Sequence, residues 1–193
     1  VSPDDEVYSL SDEGQVWMLQ DDGQWSGKGG KFQSVVAGEK GGLWGINATG
    51  EVMMFVNGIW KPLPGKSTLI AAASGTVWSI SKQSNLSVWD ISTQRWRVMM
   101  KVPENVLNFV IDKQKTPWVI NTKGLVQVFS NGAWRDLPGI QAVSLAVGGV
   151  DTVYAVTNAQ QIFWLDMRDF EWKPATGSAS MIAVGSNGAP WAI

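Results

Sequence analysis

Histidine and cysteine are both absent from this 193-residue chain. Without histidine there is no imidazole to shuttle protons near neutral pH and no common nitrogen ligand for zinc or copper. Without cysteine there are no disulfides, thiolate nucleophiles or sulfur ligands. Charge is sparse as well: 17% of residues are charged, the net charge is -2 and the pI is about 5.1. Nucleic-acid binding rests on clustered Lys and Arg, so no nucleic-acid partner is expected. No apolar run approaches the ~18–20 residues that cross a bilayer as a helix, so no membrane span is expected. No loop has EF-hand spacing, and no Gly-x-Ser-x-Gly elbow presents a nucleophile. The expectation is a non-catalytic protein with no cofactor and no metal.

What the chain does contain is tryptophan, twelve against two tyrosines, within a hydrophobic content of 45%. These aromatics are periodic. An aromatic followed two residues later by an aliphatic occurs at Tyr8, Trp44, Trp78, Trp118, Tyr154 and Trp191, at spacings of 36, 34, 40, 36 and 37 residues. A second series, Trp25, Trp60, Trp96, Trp134 and Trp172, keeps step at 35, 36, 38 and 38. Two series holding one period identify a repeat protein.

Each period resolves into four short apolar runs, A to D. Run A covers residues 34–37, 69–73, 107–111, 143–147 and 181–184. Run B carries the first aromatic. Run C covers residues 16–19, 52–55, 86–89, 126–129 and 162–165, and run D ends at the second Trp. Runs of four to five residues bounded by Gly, Asn or Asp are the length of strands and too short for helices. Asn57-Gly58 and Asn131-Gly132 between apolar runs are strong hairpin signals. Further turns are read at Gly148-Gly149 and at Ser186-Asn187-Gly188, and Pro64-Gly65 and Pro138-Gly139 are read as the end of the outer strand. Four strands per ~40 residues predict an all-β fold, a β-propeller of four-stranded antiparallel blades forming one domain over residues 1–193. Run B occurs six times and the other runs five times. That count leaves open a six-bladed ring with incomplete terminal blades, a five-bladed ring closed by residues 181–193, or a piece of a longer chain.

The units LWGINATGEVMMFVNGIWKPLPG (43–65) and PWVINTKGLVQVFSNGAWRDLPG (117–139) resemble tectonin repeats. The likeness covers essentially the whole chain and is weaker over residues 84–105. It implies a six-bladed propeller and a lectin that binds repetitive microbial surface glycans, among them lipopolysaccharide or methylated sugars, as in innate immunity. Other tectonin-repeat proteins are interaction modules, so a protein-interaction scaffold is the alternative, and a glycan-processing enzyme a distant third.

Candidate ligand residues follow from that expectation. Trp25, Trp60, Trp96, Trp134 and Trp172 read first as caps over the preceding sheet. Their second reading is a groove shared with charged followers such as Arg97 and Arg135. Asn47, Asn121 and Asn158 recur after run B, as turn residues or as amides for sugar hydroxyls. The run-B aromatics read first as core between blades and second as stacking platforms for sugar rings. Acidic residues cluster early (Asp4, Asp5, Glu6, Asp12, Glu13, Asp21, Asp22) and read as solvated charges guarding a strand edge. Sequons at Asn47 and Asn85 tilt an open choice between secretion and cytoplasm toward secretion. The chain opens at Val1 without Met, which is compatible with processing.

Overall fold

The computed structural model describes residues 6–148, 152–185 and 188–192. The chain forms two compact units, Val1–Val102 and Pro103–Ile193. The first holds three sheets. Strands β1 (Tyr8–Leu10), β2 (Val16–Leu19) and β3 (Trp25–Gly29) form a three-stranded sheet. Strands β4 (Ser34–Ala37), β5 (Leu43–Ile46), β6 (Glu51–Val56) and β7 (Ile59–Lys66) form the next, followed by β8 (Leu69–Ala73), β9 (Thr76–Ile80), β10 (Asn85–Asp90) and β11 (Arg95–Lys101).

The second unit repeats the plan. It contains β12 (Val106–Ile111), β13 (Pro117–Asn121), β14 (Val126–Ser130) and β15 (Ala133–Leu137). Then come β16 (Ala142–Gly148), β17 (Thr152–Thr157), β18 (Gln161–Asp166) and β19 (Glu171–Ser178), and finally the pair β20 (Ile182–Val184) and β21 (Pro190–Ala192). Every pairing is antiparallel between chain neighbours. The fold class is the all-β β-propeller, built of four-stranded antiparallel blades. Among the described residues the strands amount to five A-to-D sets and one additional B strand, the count expected from the aromatic spacings. The one helical feature among them is a single 3-10 turn at Glu39–Gly41, inside an A–B connection.

Continuous apolar runs become strands with both faces covered. All four residues of β5 are buried, as sheets sandwiched on both sides require. The aromatic of strand B and its aliphatic partner share a face. Trp44 and Ile46 pack with Ile70, Val77 and Trp89 of the following sheet. On the other face, Gly45 lies under the Phe32 ring, where a Cβ would come within 2.5 Å of Cδ1. Trp118 and Ile120 pack with Leu145, Ala155 and Leu165 in the same manner.

Two expectations about the outer strand need correction. Run D does not end at the second Trp but begins beside it, as in β7, where Trp60 is the second of eight residues. Pro64-Gly65 lies inside β7 rather than at its end. A register shift between Glu51 and Met53 lets pairing resume at Lys66, because a bulge accommodates a residue that cannot donate to the ladder. Comparable shifts recur in β2–β3, β10–β11 and β18–β19. The Gly148-Gly149 turn falls partly outside the described residues, as do Asp4, Asp5, Ser186, Asn187 and Ile193.

Candidate functional site

The B–C turns of the first five sheets are held by one recurring lock. The first turn residue, Ser11, Asn47, Ser81, Asn121 or Thr157, accepts a backbone N–H four residues on through its side-chain oxygen. The residue at the fourth turn position has positive φ: Gly14, Gly50, Ser84, Gly124 and Gln160, at +82°, +82°, +59°, +78° and +60°. Its carbonyl then accepts the N–H of a residue in the segment crossing to the next sheet: Phe32, Ser67, Val102, Ala142 and Ala179, at 2.8–3.0 Å. Each crossing segment is thereby pinned beside a B–C turn.

Grooves form where a pinned crossing meets B–C turns. In the first unit a groove of about 490 Å³ is bounded by residues 10–14, 31–33 and 47–49, and carries Asp12, Glu13 and Lys31. In the second unit a groove of about 460 Å³ runs between the crossing at residues 139–141 and the turn at 157–159. Phe163 supplies a half-buried ring there, and Gln141, Asn158 and Gln161 supply amides. Among the described residues no charged side chain lines it. A hollow of about 380 Å³ with Lys123 lies on the other side of the same crossing.

Asn47 and Asn121 lie in the turns but are consumed by them. Asn47 Oδ1 accepts from Thr49 N, Thr49 Oγ1 and Glu51 N, while its Nδ2 donates to Glu51 at 2.7 Å. Those hydrogen bonds, from Asn47 first and Thr49 second, hold the Glu51 carboxyl below its usual range. Asn121 Oδ1 accepts from Lys123 N and Leu125 N. Asn158 is not their equivalent. Thr157 takes the locking position, and Asn158, one residue on, is exposed at the groove mouth.

Three of the strand-D tryptophans act as ties between consecutive sheets. Trp60 Nε1 donates to the Lys28 carbonyl at 3.0 Å, Trp96 Nε1 to Pro64 at 2.7 Å and Trp172 Nε1 to Leu137 at 3.4 Å. Trp60 also packs on Phe32 and Phe55, Trp96 on Trp89 and Trp134 on Phe129. Trp172 backs the wall of the uncharged groove at Gly139 without lining it. Trp25, on the first sheet, is 47% exposed. Arg135 is placed over the Phe170 ring at 4.7 Å, and Arg97 is exposed. Each strand-D Trp pairs with the C-D end of strand C, as in Trp60 with Phe55. The asparagines stand at the opposite end of that strand. The structure therefore does not gather the two series into one site.

Trp44, Trp78 and Trp118 are buried, and Trp118 Nε1 donates to Asp112. Tyr8 is half-buried, and burial, then the neighbouring Glu6 carboxylate, push its phenol up to about 12. Gln141, Gln161 and Phe163 were not singled out in the sequence, because their meeting depends on how a crossing lies against the next turn. Among the described residues no group of three or more acidic side chains is placed to hold a metal ion, and no helix is long and apolar enough to cross a membrane.

No family model matches the chain, and no curated protein does. Solved structures match closely in shape. A structural-genomics protein of unknown function from Bacteroides thetaiotaomicron superposes with a TM-score of 0.71 at 11% identity, over 97% of this chain and 63% of that one. YCF48 bound to D1 peptide superposes with a TM-score of 0.62 at 14% identity, over 87% and 64%. The chain thus spans less than two thirds of the length of either. What they share is the fold.

Proposed function

We propose that this chain is a non-catalytic recognition domain that binds uncharged sugar rings in the grooves between consecutive sheets, as a tectonin-like lectin of microbial surface glycans. The observation that supports it is the groove at residues 139–163. An aromatic face suits the C–H face of a sugar ring, and amides both donate to and accept from hydroxyls. Gln141, Asn158, Gln161 and Phe163 bring these together in a concavity free of charge. Several weak sites on one chain would raise affinity for a repetitive surface through effective concentration.

A glycan array that includes O-methylated sugars and lipopolysaccharide cores, followed by calorimetry on the best hit, tests this reading. The expected result is weak saturable binding. A double Asn158→Ala, Gln161→Ala variant should weaken it about tenfold at unchanged melting temperature, since both side chains are exposed. An empty array, or binding untouched by the double variant, overturns the proposal. A protein scaffold is the second reading, because one structural relative is solved with a peptide bound. A single partner recovered with no sugar retained would favour it.

A further inference from the structure

The outer strand of a sheet presents unpaired main-chain N–H and C=O groups, and natural proteins blunt such edges with proline, charge or short strands. Glycine weakens them further. Of the five D strands among the described residues, four are blunted in this way. Strand β3 carries Gly27 and Gly29, β7 carries Pro62 and Pro64, β15 is five residues long with Asp136, and β19 carries Glu171 and Pro174. The fifth, β11, reads RWRVMMK, with no proline, no glycine and no carboxylate. Among the described residues it pairs with β10 alone.

The side chains of β11 divide between two faces. Trp96 lies opposite Trp89 and packs against the cluster that holds Trp44 and Val77. Val98, two residues on, shares that face and is 60% exposed. Arg95 and Arg97 stand on the other face, and both are exposed. A register shift leaves Met99 without a partner on β10, so the regular stretch of the edge is residues 95–98. Three other D strands are bulged as well. What sets β11 apart is its composition.

We infer that the outer edge of β11 is a docking site for an extended acidic segment of a partner protein, one in which carboxylates alternate with apolar residues. Main-chain pairing along residues 95–98 supplies affinity. The two-residue period of a strand then sorts the incoming side chains: carboxylates fall beside Arg95 and Arg97, and apolar residues beside Trp96 and Val98. Charge complementarity selects this occupant over a second copy. Two copies paired antiparallel through this edge would set guanidinium against guanidinium, and like charges directly opposite are destabilising. The assignment is independent of the sugar reading, since no groove residue takes part.

A short labelled peptide in which Glu and Val alternate is the probe. Fluorescence anisotropy against the intact chain at about 50 mM salt, where charge is weakly screened, should give saturable one-to-one binding. A Lys–Val counterpart should bind about tenfold more weakly or worse. A fully N-methylated Glu–Val peptide, which keeps its charges and loses every ladder donor, should not bind. Arg95→Glu with Arg97→Glu should weaken the Glu–Val peptide about tenfold or more. Lys82→Glu with Lys115→Glu, the same change in net charge at exposed turn positions, should leave it within about twofold. Hydrogen exchange on the unmutated chain provides a readout that no folding defect can disturb: the peptide should protect amides within residues 95–98. Absence of saturable binding, binding retained by the N-methylated peptide, equal loss in both variants, or protection away from β11 overturns the proposal. Self-association of the chain that competes with the peptide would assign the edge to a second copy and overturn it equally.

Discussion

At the level of single residues, backbone conformation decides more than side-chain chemistry. Five B–C turns need a residue with positive φ at the same place, and glycine fills three of them. Ser84 and Gln160 adopt that conformation against the Cβ–carbonyl repulsion that makes it costly for L-residues, by roughly 1–2 kcal/mol. Gln160→Gly should therefore stabilise the chain by about 1 kcal/mol, less the greater freedom glycine has when unfolded. Urea titration would show a higher midpoint at unchanged slope. The same logic explains why Asn47 and Asn121 were legible as turn residues. Their Oδ1 atoms accept backbone N–H groups of the turn, and Asn47 Nδ2 is engaged by Glu51 as well. Asn158, counted with them by spacing, escapes because Thr157 performs the lock in its place.

At the level of strands and hairpins, Trp60, Trp96 and Trp172 each bind their outer strand to the one before it. The Trp96 N–H donates to Pro64 at 2.7 Å on a partly exposed rim. Trp96→Phe retains most of the ring and loses that bond, so it should cost about 1 kcal/mol by chemical denaturation. Sugar binding should not change. The β18–β19 turn carries an acid-sensitive clamp. Asp166 accepts hydrogen bonds from the Arg168 backbone and guanidinium. These bonds, the side-chain one first, lower its carboxyl from 3.8 to about 2. A carboxylate with a depressed folded-state value contributes above its unfolded value and loses that contribution as pH falls through the folded one. The turn should loosen between about pH 4 and pH 2. Exchange of the amides at residues 167–170 would follow it, and Asp166→Asn should flatten the dependence in that window.

At the level of the molecule, charge separates the two grooves. One carries Asp12, Glu13 and Lys31, and the other none. Ligand held in the uncharged groove has no ion pair to screen, so its affinity should stay within about twofold between 50 mM and 500 mM salt, as calorimetry would record. A dissociation constant that climbs steeply with salt would place the ligand elsewhere. The two tryptophan series, the four-strand unit and the places of the A, B and C strands were set by sequence, because burial period and turn chemistry are local properties, whereas the D strands run on past the Trp at which they were expected to end. Residues 34–37, for example, hold the apolar Val35, Val36 and Ala37 before a glycine-rich turn and form β4 as expected. Tertiary structure decided the rest. It placed Gln141 against Asn158 and Phe163, drew the Trp96 indole to a carbonyl 32 residues away, and left Trp191 uncovered while burying Trp118. Equal residues at equal repeat positions carry equal local preferences. What surrounds each one depends on which sheet lies next to it, and no stretch of chain encodes that alone.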